Sequence, residues 1–347
     1  MAKVRIFLLT YRRPALLSRA LDSLQNQTYT DWVCELHNDA PDDDGPRRLV
    51  ETTGDPRIVL HHHEHNWGAV ATFNHAYACA GAESLGSILE DDNWWEPDFL
   101  ATAVKAIHAE PAANVVWTNM RIWAEQPDRS WRDTGRTIWT RAPTAPPSRL
   151  FYFPEPLQLA DALHSQGAMV YRAAASRRAL VPAETPLAII EPVRERLLPG
   201  GWLLLTEPLA NFAVTRQTAR GSDRAAWAQA QLLVAGSYLK NLAASPAAIV
   251  RHWHHLRGQT PPGTNLLCQL ALAGLPPRSL LRGSKPRDWL RFVAGAIRRP
   301  TVLVETLRFR RRYVTLWPLL CEAARERVKE ASAHNTQRDL FEKHLSN

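Results

Sequence analysis

Three consecutive carboxylates, Glu90-Asp91-Asp92, follow the short apolar run Ser87-Ile88-Leu89 and precede Asn93-Trp94-Trp95-Glu96-Pro97. The run reads as a buried strand, and Pro97 suits the first turn of a following helix. That order puts the acids at the carboxyl end of a central strand, the edge at which open α/β sheets bind ligands. Adjacent carboxylates repel one another unless a cation or polar ligand compensates them. Hard oxygen donors of this kind favour Mg²⁺ or Mn²⁺, and both ions bridge to phosphates. The chemistry to expect is a metal-diphosphate site; the bland alternative is a solvated acidic turn.

The elements that would position these acids alternate along the first 120 residues. Lys3 to Leu9 reads as a strand, and Pro14 opens a helix with Leu16, Leu17, Ala20, Leu21 and Leu24 at helical spacing. Trp32 to Leu36 reads as a second strand, closed by the turn formers of His37 to Gly45. A third strand over Arg57 to His61, a helix over Val70 to Ala80, the acid-tipped strand, a helix over Pro97 to His108 and a strand over Asn114 to Thr118 follow. This βαβα order predicts an α/β fold, a mostly parallel sheet flanked by helices with a nucleotide site at its carboxyl edge.

Beyond Trp117 regular periodicity is lost until Pro156, and Trp117, Trp123, Trp131 and Trp139 are interleaved with Arg, Asp and Pro. These tryptophans either cover the sheet edge or form a platform for an acceptor sugar. Order resumes with a strand over Gly167 to Tyr171, a helix around Glu191 to Leu198 and a strand over Trp202 to Leu205. After about Gly221 the chain reads as helical. Its segment from Arg278 to Arg312 is rich in arginine, with Trp289, Phe292, Val293, Ala296 and Ile297 on one helical face. That combination marks either a membrane-surface helix or an ordinary amphipathic helix packed on the domain.

The chain of 347 residues carries a net charge of +8, which implies attraction to an anionic partner: a nucleotide, a lipid surface or a nucleic acid. Cys34, Cys79, Cys268 and Cys321 lie far apart, which argues against a zinc site or a disulfide framework and for a reducing cytosol. Val4 to Leu9 is too short for a signal sequence, and no apolar run approaches the roughly 18 residues of a membrane span. His61-His62-His63 and His65 suggest a metal site only weakly, because successive strand residues face opposite sides. His252, His254 and His255 read as a helix surface, and Asp42-Asp43-Asp44 as a solvated loop.

Taken together these motifs resemble a family 2 glycosyltransferase with the GT-A fold. Thr10-Tyr11-Arg12-Arg13-Pro14, with Leu17, Arg19-Ala20-Leu21, Ser23-Leu24 and Gln27-Thr28-Tyr29, matches that family's opening signature. Asn38-Asp39 stands at its base-reading aspartates, Asn66-Trp67-Gly68 and Asn74 at its asparagine and glycine positions, and Glu90-Asp91-Asp92 at its DxD motif. The resemblance covers about residues 3 to 218. It implies a GT-A domain over 1–220, with a Rossmann-like nucleotide-binding half over 1–120 and an acceptor half over 121–220, followed by a helical C-terminal extension over 221–347.

The resemblance further implies a metal-dependent inverting hexosyltransferase-type enzyme that moves a sugar from a nucleotide-sugar donor, a UDP-sugar by preference, to a hydroxyl acceptor. Asp92 would hold Mn²⁺ or Mg²⁺, Asp91 would support that shell, and Glu90 would accept from a ribose hydroxyl. Glu90 departs from the family's usual aspartate. Thr10, Tyr11, Arg13, Asn38, Asp39, Asn66, Gly68 and Asn74 complete the implied donor site. Phe73 replaces an arginine common in the family, which removes a diphosphate contact. Direct displacement needs a general base, usually a carboxylate, on the acceptor hydroxyl. Glu191 occupies the family's place for it, with Glu184 in reserve. Phe212 to Arg216 lacks the family's histidine, with Arg216 as substitute. The implied work is surface polysaccharide or lipid-linked glycan assembly in the cytoplasm, with a peripheral contact of 278–312 on the inner leaflet. Glycosylation of a protein or modified nucleic acid and a degenerate GT-A binding module are the rival readings.

Overall fold

A computed structural model describes residues 3–78, 83–139, 146–152, 165–216, 224–241, 272–273, 285–298 and 300–333. The expected features at His252, His254 and His255, the basic residues 278–284 and parts of the Trp117 to Pro156 stretch lie outside these described residues.

The first four strands, β1 (Val4–Thr10), β2 (Trp32–Asn38), β3 (Ile58–His62) and β4 (Leu85–Glu90), pair in parallel in the order β3-β2-β1-β4 along one side of a single sheet. Helices α1 (Pro14–Gln25), α2 (Gly45–Thr53) and α3 (Ala69–Ala78) connect them, as parallel pairing requires. The short α2 is missing from the sequence reading, because Leu49 and Val50 alone leave it no clear apolar stripe. The sheet continues through β9 (Met169–Arg172), antiparallel to both neighbours, then β6 (Ala113–Glu125), β10 (Gly201–Val214) and β5 (Trp94–Trp95). A lone antiparallel insertion in an otherwise parallel centre agrees with the expected α/β architecture. Gly86 faces Tyr171 in the β4–β9 pair, where an added Cβ would come within 2.5 Å of the tyrosine ring, so only glycine admits this approach.

The core of this sheet is Val4, Ile6 and Leu8 of β1 and Leu89 of β4, packed against Leu17, Leu21 and Leu24 of α1 and Phe99, Leu100, Ala103 and Ile107 of α4 (Phe99–Ala109). The irregular stretch expected after Trp117 is in fact largely ordered. Strand β6 runs on to Glu125 and pairs with β7 (Trp131–Thr137) as an antiparallel hairpin, with Arg129 at φ 67° in its turn. Local alternation there is masked by Arg121, whose partner Glu96 lies elsewhere in the chain, and by the exposed Arg132 and Arg136. Strand β8 (Ser148–Phe151) pairs with β10.

Backbone proximity divides the chain into two units. One comprises residues 1–151, 164–183 and 198–219 and contains the whole sheet with a short α5 (Ala173–Ser176); the other comprises 152–163, 184–197 and 220–347. The second is helical: α7 (Arg224–Asn241) packs against α9 (Pro300–Arg312) and α10 (Leu316–Ala333), and α10 against α6 (Ile190–Leu197), while α8 (Pro286–Arg298) packs on α9. No described helix is long and apolar enough to cross a membrane.

Candidate active site

The connections from β1 to β2 and from β3 to β4 run in opposite directions across the sheet, so the switch point lies between the carboxyl ends of β1 and β4. Leu9 pairs with Glu90 there, and the Asp91 amide donates to the Leu9 carbonyl at 3.1 Å. Thr10, Tyr11, Arg13, Glu90, Asp91 and Asp92 are thereby brought to one place from positions some 80 residues apart. Asp91 Oδ2 accepts from the Thr10 hydroxyl at 2.9 Å and the Tyr11 amide at 3.3 Å. Arg13 Nη1 lies 2.7 Å from Asp92 Oδ2 and 3.3 Å from Asp91 Oδ1. Arg12, at φ 56°, makes the tight turn that turns Arg13 back on the acids, and its own guanidinium pairs with Asp42. Glu90 Oε2 accepts from the Asn93 amide at 3.0 Å.

The electrostatics of this turn follow from burial. Asp91 is 5% exposed, and loss of hydration, with Asp92 beside it, pushes its carboxyl up to about 7 against the pull of Arg13. Burial works against the Arg13 charge, but the Asp91 and Asp92 carboxylates more than offset it and raise its pKa. The two shifts agree once the geometry is considered: one guanidinium shared between two carboxylates gains from both, yet returns to the more buried one less than hydration would. A cation already stands between hard oxygen donors, so the acid turn fits a divalent ion in its place.

The other residues expected around the donor do structural work. Asp39 Oδ1 accepts from the Trp67 amide at 2.6 Å and faces His63 Nδ1 at 3.0 Å, while Oδ2 accepts from the Gly68 amide at 3.0 Å and the Thr72 hydroxyl at 3.4 Å. Gly68 adopts φ 78°, which aims its N–H at Asp39 without the strain that a side chain would bring. Asn38 is wholly buried, giving its amide to the Asp43 carbonyl and His62 and accepting from the Ala40 amide. Asn74 grips the Val181 backbone at both ends, at 2.7 and 3.1 Å, so this amide staples α3 to the segment after α5. Asn66 is exposed beside Trp67, and Phe73 is buried on the inner face of α3. Asp39→Ala is expected to destabilise the ligand-free protein by about 1–3 kcal/mol, because the Trp67 and Gly68 amides lose their acceptor. Urea unfolding measures this; wild-type stability in the variant would show that Asp39 does not hold the 63–68 loop.

Residues 6–177, which run from within β1 through the acid turn and past β9, match Glycosyl transferase family 2. The chain carries a family 2 glycosyltransferase domain. A stretch of 92 residues is 32% identical to WcaA of Escherichia coli (strain K12), named for colanic acid biosynthesis as a glycosyl transferase; it covers 26% of this chain and 33% of that protein's length. Among solved structures, S. aureus TarS 1-349 in complex with UDP superposes with a TM-score of 0.55 over 93% of this chain and 91% of that one, at 12% identity. The same protein in complex with UDP-GlcNAc gives 0.54 at 11% identity, over 93% and 92%. At such identities the likeness is one of fold, and it establishes the GT-A architecture.

Within the glycosyltransferase domain the sequence reading names Arg19 in the opening signature but gives it no role. Its guanidinium lies 3.7 Å from the Trp94 ring centre and 4.2 Å from that of Trp131, and donates to the Asp92 carbonyl at 2.8 Å. Burial lowers its pKa to about 10 despite Asp92 and Glu125 nearby. Trp123, 5.4 Å from Trp94, donates to Asn211 Oδ1. Thus Trp94 and Trp131 cover Arg19, which holds the backbone of Asp92, and Trp123 packs on Trp94, while Trp117 is core, stacked on Phe151. Its place in the opening signature was the local signal, since Arg19 lies off the Leu17, Ala20, Leu21 and Leu24 stripe of α1.

In the second unit Glu191 lies in the first turn of α6, followed by Pro192. A carboxylate there is favoured by the helix dipole. Glu184 accepts from the Thr315 hydroxyl, which lowers its pKa.

A cavity of about 500 Å³ opens on the sheet away from the acid turn, lined by Glu35, His37, His61, His62, His63, Glu64, His65, Trp67 and His75. Burial drives the His37 pKa down to about 4 and lowers those of His61, His63 and His75. The expectation that the β3 histidines cannot all converge holds for His62, which turns to Asn38 and the Pro41 carbonyl. His61 and His63 do share a face, joined by His37 from the adjacent strand, which the sequence reading did not connect with them.

Proposed function

We propose that the domain transfers a sugar from a nucleotide-sugar donor, a UDP-sugar by preference, to a hydroxyl acceptor with inversion, in polysaccharide or lipid-linked glycan assembly. The observation that carries this reading is the Arg13–Asp91–Asp92 cluster at the switch point of a family 2 domain. The UDP and UDP-GlcNAc complexes of TarS support the donor class, and the WcaA relationship supports the polysaccharide setting.

In this reading Asp92, with Asp91 behind it, holds Mn²⁺ or Mg²⁺. When bound, the ion neutralises charge that develops on the departing diphosphate. Arg13, released from the acids, turns its charge to the same diphosphate. Arg19 keeps the Asp92 backbone in place, Tyr11 and Thr10 face the nucleoside, and Glu90 accepts from the ribose. Glu191 takes the proton of the attacking hydroxyl. A thermal-shift panel of nucleotide sugars with Mn²⁺ tests the assignment, since a ligand of the folded state alone raises the melting temperature. A flat response to every UDP-sugar would refute the donor class.

A peripheral membrane contact is the second part of the proposal. Helix α8 leaves Leu290, Val293 and Ile297 71%, 51% and 76% exposed, among the exposed Arg287, Arg291 and Arg298. Phe292, read on one face with Val293 and Ile297, is buried in its unit beside Trp289. Each basic residue near an anionic leaflet adds about 1 kcal/mol, and apolar burial adds a component that salt does not screen. The full chain should co-sediment with phosphatidylserine vesicles less as salt rises, without full release. Replacing Leu290, Val293 and Ile297 together by Ser should remove the salt-resistant part at an unchanged melting temperature. Wild-type protein that ignores such vesicles at low salt would end the membrane reading.

A further inference from the structure

The face of β2 and β3 beside the cavity brings together one carboxylate and two imidazoles. Glu35 Oε2 lies 3.4 Å from His37 Nε2 and 4.0 Å from His61 Nε2, and one ligand atom from each of the three residues lies within 4.8 Å of the others. Parallel pairing sets His37 opposite His61, while Glu35 is two residues before His37 on the same side of its strand. The rings of His37 and His61 stack at 4.8 Å.

Hydrogen bonds behind this trio decide which ring atoms face forward. The Asp39 carboxylate accepts from the Trp67 and Gly68 amides and can only accept from His63 Nδ1, 3.0 Å away. A neutral His63 therefore offers a lone pair at Nε2, and His37 Nδ1, 3.0 Å from it, supplies the proton. That leaves the His37 Nε2 lone pair aimed at the Glu35 carboxylate, acceptor against acceptor. Such an arrangement wants a cation between its members. A ring that donates its far nitrogen into a carboxylate-anchored chain is also the usual support of a metal-bound histidine. On the other side Arg5 pairs with the second Glu35 oxygen and with Glu83, which orients Oε2 inward; two glutamates against one arginine keep the local charge negative.

We infer that Glu35, His37 and His61 form a second metal site, separate from the acid turn, which takes a borderline transition-metal ion of the Zn²⁺ or Co²⁺ type. Two imidazole nitrogens and one carboxylate oxygen suit such ions and not Mg²⁺, and three protein ligands leave a coordination position open to the cavity. His61 is exposed, so its ring is free to turn from its stack on His37 toward an ion shared with the other two ligands. The site does not depend on the reaction assigned to Asp92. Through His37 and His63 its occupant would brace Asp39 and the 63–68 loop.

The test uses the full chain without a histidine tag, stripped with chelator, in an Asp92→Ala background that removes the other metal site. Isothermal titration with Zn²⁺ should show one ion per chain, undisturbed by excess Mg²⁺, and Co²⁺ should give the visible absorption of a low-symmetry, nitrogen-ligated ion. Adding His61→Ala should weaken Zn²⁺ by at least about tenfold and abolish the Zn²⁺-induced rise in melting temperature. Glu35→Gln should do the same, whereas His65→Ala, in the same cavity, should not. Absence of Zn²⁺ binding in the Asp92→Ala protein, or equal affinity with and without His61, would overturn the site.

Discussion

Asp92→Ala is expected to lower Mn²⁺-dependent transfer by on the order of 10²–10³-fold, the scale on which enzymes lose a preorganised electrostatic stabiliser. The same variant should fold and gain stability at neutral pH. Asp91 is pushed up to about 7 first by burial and second by Asp92. Its folded-state pKa exceeds that of the unfolded chain, so the native state binds more protons across the interval from about 4 to 7. Stability on account of this group is therefore greatest below that interval and declines as pH rises through it. Removing Asp92 should flatten the decline, because one cause of the raised value is gone. Melting curves from pH 5 to 8, without ligand, measure the slope, and steady-state transfer with and without Mn²⁺ measures the chemistry. Unchanged Mn²⁺-dependent turnover would remove Asp92 from the site.

Glu191→Gln should keep UDP affinity and lose about 10²–10⁴-fold in turnover, as removal of a general base does. The amide preserves size and hydrogen-bonding reach but cannot take a proton from the acceptor. Glu184→Gln is the paired measurement: its carboxylate is exposed and already engaged by the Thr315 hydroxyl, and its loss should be mild. A drop of less than tenfold in Glu191→Gln together with a severe defect in Glu184→Gln would transfer the role.

Much of the first four strands was legible because their signals are local. Ile6, Leu8 and Leu89 lie in strands buried on both faces, whose apolar residues run on with little interruption. Pro14 marks a helix start, and the acids follow a strand without interruption. The C-terminal half of the sheet was less legible. Strand β10 runs from Gly201 to Val214 through Glu207-Pro208, where its register against β6 shifts, and β6 and β7 carry arginines that break the alternation of a simple hairpin. What the apolar residues of α8 meet was left open, since a helical wheel orders side chains without saying which side meets protein: Phe292 is buried, whereas Val293 and Ile297 are exposed.

The sequence by itself determined the alternation of strands and helices that makes a largely parallel sheet, the position of three carboxylates at a strand end and the family to which those motifs belong, because each depends on residues close together in the chain. Tertiary structure alone decided which partners those residues keep. Arg13 meets Asp91 and Asp92 across 78 and 79 positions, Arg19 is held between Trp94 and Trp131, and Asp39 ties down a loop nearly 30 residues away. Glu35, His37 and His61 converge only because β2 and β3 pair with His37 opposite His61. A shift of that register by one residue would turn His61 to the other face. Register between parallel strands is set by the packing of the crossover between them, a non-local balance of burial that periodicity along either strand does not record.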